Sequence, residues 1–168
     1  MYELTPENFK VQLNFYTTDA RNENNAQLEL VTINGALYGN SPRDIFKSLV
    51  FITPFKSINS FNVKRDRHIY NYLINASAGK EESFQVTVGE LGKSSVNFSI
   101  KLNNIEKSIP FKFSTSGISL QAIGFLDIKD FQLAPLKEEI EKQFKEKIWD
   151  DFYIDVRAKF IKKCSDDL

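Results

Sequence analysis

The densest cluster of reactive side chains is Asn62-Val63-Lys64-Arg65-Asp66-Arg67-His68, which holds the only histidine of the chain. Asp66 and His68 have the types of a carboxylate and imidazole acting as a base pair on a small molecule or lipid. No third orienting group accompanies them. An Asp flanked by two Arg residues forms a local ion pair just as readily, with Asp66 capping a helix that follows. A single His with no second His, Cys or carboxylate at ligand spacing does not make a metal set. The nucleophile elbow G-x-S-x-G and the Gly-rich phosphate loop are both missing. Cys164 stands in a charged tail with no second Cys to pair with and no base beside it. Glu138-Glu139 and Asp150-Asp151 fall on expected surfaces, where no spacing rule sets them across a cleft. The residues thus point to no catalytic and no metal site, and turn attention to binding.

What must position any site is a set of alternating segments. Phe84, Val86 and Val88 alternate with polar residues, as do Val96, Phe98, Ile100 and Leu102, then Ile109, Phe111 and Phe113, then Ile118 and Leu120 running into an apolar stretch to Phe125. Side chains along a strand point to opposite faces in turn, so each segment has one apolar face. Turn residues at 89–93, 103–106 and 115–117 join the four as an antiparallel meander. Upstream, Phe9, Val11, Leu13 and Phe15 alternate after a short extended piece at 2–4; 27–33 and 50–58 read as the second and third strands. Ser41 and Pro42 predict a short helix, as N-cap and first helical residue. Residues 69–75 predict another short helix. The spacing of Leu136, Ile140, Phe144 and Ile148 behind Pro135 predicts one amphipathic helix, and alternation from Phe152 to Phe160 an eighth strand.

Eight antiparallel strands in one domain spanning 1–168 favour an all-β closed barrel, since closure removes sheet edges; a two-sheet sandwich is the alternative. The last strand is expected beside the first. Lys plus Arg equals Asp plus Glu at 22 each, which excludes a generally basic nucleic-acid-binding protein. No apolar run reaches the roughly 20 residues of a membrane-spanning helix. Fifteen Phe against one Trp suggest a wide apolar interior.

The segment from Ser57 to His68 resembles a motif of the YceI-like family, lipocalin-like polyisoprenoid-binding proteins, which runs Ser-Val-(Asp/Asn)-Thr-Gly-Asn before an Arg-Asp pair. The segment from Ile100 to Ile109 resembles the family's Leu-Thr-Ile-x-Gly-Val-Thr-Lys-Pro-Val hairpin. Asp130-Phe131 and Lys147-Ile148-Trp149-Asp150 are similar to later family segments in the same order, so the resemblance covers most of the chain. The sequence departs from the pattern at Ser60 and Phe61, which replace Thr and Gly, at Asn104, which replaces a hairpin Gly, and at Ser108, which replaces Pro. Asn tolerates left-handed φ, so the hairpin is expected to survive.

The resemblance implies an extended eight-stranded lipocalin-like barrel that carries a polyisoprenoid, a quinone or another lipid in an elongated apolar cavity without catalysis. It also implies a bacterial periplasmic or secreted setting and self-association as a homodimer. The residues themselves leave a cytoplasmic protein open, and equally a barrel filled by its own Phe side chains that serves as a protein-interaction scaffold through loops such as 19–25. If the barrel is hollow, the inward set is Leu13, Phe15, Phe84, Val86, Val96, Phe98, Ile100, Phe111, Phe113 and Val156. On that register Phe98→Leu weakens ligand uptake, while changes at the outward Asn97 or Lys112 do not.

Overall fold

A computed structural model of the chain describes residues 1–17, 23–29, 31–76, 82–145 and 147–164. Eight staves follow in chain order. These are β1 (Phe9–Thr17), β2 (Glu23–Leu28, resumed at Thr32–Asn34), β3 (Val50–Pro54, resumed at Ile58–Asn59), β4 (Ser83–Leu91), β5 (Ser95–Leu102), β6 (Ile105–Ser116), β7 (Ser119–Asp127) and β8 (Ile148–Lys159). Each pairs antiparallel with its neighbour from β3 to β8, and β8 pairs with β1, setting Val156 opposite Val11. The ring is completed by β2, which pairs with β1 and meets β3 twice, as Leu28 opposite Ile58 and as Ile33 opposite Phe51. The two ends of the hydrogen-bonded order are therefore two pieces of the same two strands, and the sheet returns on itself as an antiparallel barrel.

Two expected strands are broken where the ring closes. The 27–33 strand is interrupted between Leu28 and Thr32, and the 50–58 strand bends through a 3-10 turn at Phe55–Ser57. A strand that pairs with β4 on one half and β2 on the other must turn a corner, and the turn spends three residues doing so. The expected seventh strand likewise stops early: Asp130 and Phe131 belong to a 3-10 turn, Ile128–Phe131, which Asp127 caps. Among the described residues no helix is long and apolar enough to cross a membrane. Of the 19–25 loop, 19–22 lie outside the described residues and 23–25 are strand.

One end of the barrel is plugged by the short helix α1 (Pro42–Phe46), where the Ser41 hydroxyl accepts from the Asp44 N–H at 3.1 Å and Ile45 and Phe46 are fully buried. The other end is roofed by α2 (Val63–Ala76) and α3 (Ala134–Phe144). The structure extends the expected 69–75 helix by two turns towards its N-terminus, and Asn62 rather than Asp66 caps it, accepting from the Arg65 N–H at 3.0 Å. Lys64, Arg65 and Asp66 hid that start, because a charged first turn has no apolar periodicity to read. α3 ends at Lys145, whose φ is +54°, so Ile148 leaves the helical stripe and opens β8 instead. At the β5 to β6 turn Asn103 and Asn104 both adopt positive φ, 53° and 60°.

Phe61 adopts positive φ as well, +59°, where the YceI-like motif has Gly, and its ring is 70% exposed. The left-handed conformation costs a side-chain-bearing residue about 1–2 kcal/mol, and here no packing offsets it. Part of the gain from Gly is returned by its more flexible unfolded chain. Phe61→Gly is therefore expected to stabilise the protein by about 0.5–1 kcal/mol, read as a higher urea midpoint with an unchanged m-value. A lower midpoint would show that the ring makes a contact worth more than the strain.

Candidate ligand-binding site

Pleat parity sends one face of every strand inward, but the barrel's two halves use that face differently. Towards α1 the interior is solid. Phe9 and Phe51 lie with ring centroids 5.1 Å apart, Phe51 and Phe98 5.9 Å, Phe98 and Phe111 4.3 Å, and Phe46 reaches Phe98 at 6.0 Å and Phe113 at 5.7 Å. Gly124 on β7 makes this possible: a Cβ there would stand 2.2 Å from the Phe111 ring. Six of the fifteen Phe residues thus go into a floor of interlocked rings rather than into a wide interior.

Towards α2 and α3 the side chains leave space. An inner chamber of about 110 Å³ has Phe84, Ile100, Leu102, Leu126 and Ile154 in its wall, with Leu73 of α2 above. An outer chamber of about 170 Å³ adds Phe15, Ala26, Ile128, Ile140, Ile148 and Trp149. Leu13, Ile58, Ile69, Leu133, Leu136 and Phe152 line both, so the two chambers adjoin across these side chains. Among the described residues, Ser60, Arg65, Lys137 and the indole of Trp149 are the polar side chains in either wall, all in the outer chamber. Of the residues expected to touch a ligand, Leu13, Phe15, Phe84 and Ile100 line the chambers. Val86, Val96, Phe98, Phe111, Phe113 and Val156 are buried outside them, below the cavity. The roof residues Ile69, Leu133 and Leu136 escaped the strand pattern, although Ile69 opened the expected 69–75 helix and Leu136 the apolar stripe of α3.

The displaced set changes what one substitution should do. Phe98→Leu removes a ring packed against Phe111 and edge-on to Phe51, so it is expected to cost about 1–3 kcal/mol of stability. Occupancy of the chambers should be unchanged within twofold, as judged by titration of an apolar fluorescent probe. A large loss of probe binding with normal stability would place the ligand in the floor.

The roof is held down by polar ties. His68 Nδ1 of α2 and Glu139 Oε1 of α3 are 3.0 Å apart, with the His68 ring edge-on to Phe144. Asp66 turns the other way, accepting from the Ser60 N–H at 3.0 Å and from the Ser60 hydroxyl. Asp66 and His68 consequently serve different partners, and neither lines the chambers. Arg65 donates to Ser60 Oγ at 2.9 Å and to the Ser60 carbonyl at 2.8 Å, its guanidinium 5.4 Å from the centre of the Phe15 ring. Lys137 is fixed by Asp150 at 2.7 Å and Glu141 at 3.7 Å. Among the described residues no group of three or more His, Cys, Asp or Glu side chains is placed to hold a metal ion.

Asp150 ties α3 to the start of β8, and hydrogen bonds from Lys137 and then Lys129 hold its carboxyl below the usual aspartate value. A depressed folded pKa contributes stability that is fully present above the unfolded value and lost as pH falls through the folded one. The melting-temperature difference between wild type and Asp150→Asn should therefore be largest near neutral pH and shrink below about pH 4. A difference that grows in acid would contradict the assigned tie.

No family model matches the chain, and no curated protein matches it. Solved structures do. A polyisoprenoid binding domain from Saccharophagus degradans, implicated in plant cell wall breakdown, superposes with a TM-score of 0.69 over 96% of this chain and 98% of its own, at 11% identity. Burkholderia cenocepacia BcnA superposes with a TM-score of 0.64 over 95% of this chain and all of its own, at 8% identity. The chain shares the fold of these two proteins, an antiparallel barrel.

Proposed function

We propose that the chain belongs with the YceI-like proteins in function as well as in fold, and that it binds the tail of an isoprenoid or fatty amphiphile in the two adjoining chambers without turning it over. The observation that carries this reading is a pair of adjoining, almost wholly apolar chambers under the α2 and α3 roof. The binding domain from S. degradans, with the same fold, adds support.

The volumes bound the ligand. An apolar cavity of about 150 Å³ takes up one benzene, so the adjoining chambers accommodate a chain of roughly ten carbons. At about 0.8 kcal/mol per buried methylene the gross gain is about 8 kcal/mol, and the freedom lost on association removes much of it. A longer prenyl tail extends beyond the roof or displaces it. Carriage or storage, rather than catalysis, suits walls that present no paired acid and base. Native mass spectrometry of the purified protein, followed by organic extraction, tests the proposal. The expected result is a bound amphiphile, or uptake of added decanol to one equivalent. Failure to take up any single-chain amphiphile sinks it.

A second reading, a protein-interaction scaffold, draws on an aromatic strip on the outer wall. There Tyr16 stacks near Trp149 and Tyr153, and Phe125, 66% exposed, lies 5.7 Å from Tyr153. Self-association through this strip would appear as a concentration-dependent mass that Phe125→Ser abolishes.

A further inference from the structure

The outer chamber presents two cationic side chains, Arg65 and Lys137, and no carboxylate. The two cations differ. Lys137 is already neutralised by Asp150 and Glu141. Arg65 is half-buried, and among the described residues no carboxylate lies within ion-pair distance of it. The neighbouring Asp66 is separated from it by the Ser60 hydroxyl, on which both converge. Of the five guanidinium N–H donors, Nε and one on Nη2 are taken by Ser60, and Nη1 has no hydrogen-bond acceptor among the described residues. The group is held in place by Ser60 from one side and by the Phe15 and Phe144 rings, 5.4 and 5.9 Å from its central carbon.

A cation whose remaining donors are not buried, fixed in the wall of a largely apolar chamber, is open to exchange water for an anionic partner. We propose that Arg65 receives the head of a single-chain amphiphile bearing an anionic oxygen group, a carboxylate or a phosphate, while the tail runs past Leu136 into the inner chamber. This rests on the tail-binding reading above and goes beyond it in assigning the charge of the head and the residue that meets it. The guanidinium offers paired N–H donors to either anion, and Phe15 packs between the head and the tail.

Trp149 is the only tryptophan and lines the outer chamber, so its fluorescence reports occupancy directly. Wild type is titrated with decanol, decanoate and decyl phosphate at matched pH, and the same series is run on Arg65→Met. The expected result is that both anions bind at least tenfold more tightly than decanol. Arg65→Met should bring them to the level of decanol and leave decanol itself within twofold of wild type. In wild type alone, raising the salt from 50 to 500 mM should weaken the two anions and not decanol, which keeps the test open if the variant misfolds. The ratio of decanoate to decyl phosphate identifies which head is preferred. Acetate and inorganic phosphate should leave Trp149 unchanged, because the head alone buries no tail. Equal affinity for decanol and the anions, or equal weakening of all three in Arg65→Met, overturns the assignment while the tail-binding reading stands. Absence of binding by all three overturns both.

Discussion

Leu136→Trp is expected to weaken uptake of a ten-carbon chain by tens of fold while the protein melts within a few degrees of wild type. Leu136 projects from α3 and lines both chambers, so an indole there blocks the passage from the outer chamber to the inner one. A chain denied the inner chamber loses the burial of about three methylenes, roughly 2.4 kcal/mol at 0.8 kcal/mol each, or about 60-fold in affinity. The added bulk enters existing space rather than packed atoms, which is why the expected change in stability is small. Titration of decanol followed at Trp149 would be confounded by the second indole. Uptake is therefore better counted by native mass spectrometry, with Leu136→Ala as the enlarging control, expected to retain or extend uptake. Undiminished uptake in Leu136→Trp would place the ligand somewhere other than these chambers.

The second large effect concerns the floor. Gly124→Val should cost about 3 kcal/mol or more, which in a chain of this length lowers the melting temperature by roughly 10 °C. The Cβ alone would stand 2.2, 2.3 and 2.5 Å from three atoms of the Phe111 ring, and two methyl groups follow it. That ring cannot simply retreat, because Phe98 packs tilted against it with ring centroids 4.3 Å apart. The cause can be isolated by a double-mutant cycle with Phe111→Leu. The second change is destabilising in wild type and should recover part of the loss in Gly124→Val, a coupling of 1 kcal/mol or more. Additive losses would mean that the strain of Gly124→Val lies elsewhere. Comparison with Phe98→Leu then separates overpacking of the floor from its loss of contacts.

Strand facing and order were legible in the sequence, because a period of two is a property of the chain itself, whereas the count was not: beyond the eight staves, Tyr2–Glu3, Tyr38–Gly39 and Ile161–Lys162 pair as a small separate sheet. Phe84, Val86, Val96, Phe98 and Phe111 all point inward as the alternation requires. The Ser41 cap, the Asn103-Asn104 reversal and the Pro135 helix start are equally local, each requiring only the preferences of one or two residues. The helix start at Val63 was not legible, for its first turn is charged and its cap, Asn62, follows a strained Phe61. Nor was the break in β3, where the chain turns a corner to reach β2.

The division of the interior into floor and chambers was the largest thing hidden. Val86 and Phe84 differ in nothing the alternation can register, yet one is packed beneath the cavity and the other lines it. Which one does so depends on how high each residue stands in the closed ring, and so on the register between strands far apart in sequence. Gly124 faces Phe111 only because β6 and β7 pair with Lys112 opposite Ile123. Arg65 meets an apolar chamber only because α2 folds back over the ring. Residue order alone made this a mainly β chain of alternating strands with a defined inner face, because those are consequences of backbone periodicity. The tertiary structure decided where that inner face is solid, where it is hollow and which charge overlooks the hollow, because packing is settled between residues that only the closed barrel brings together.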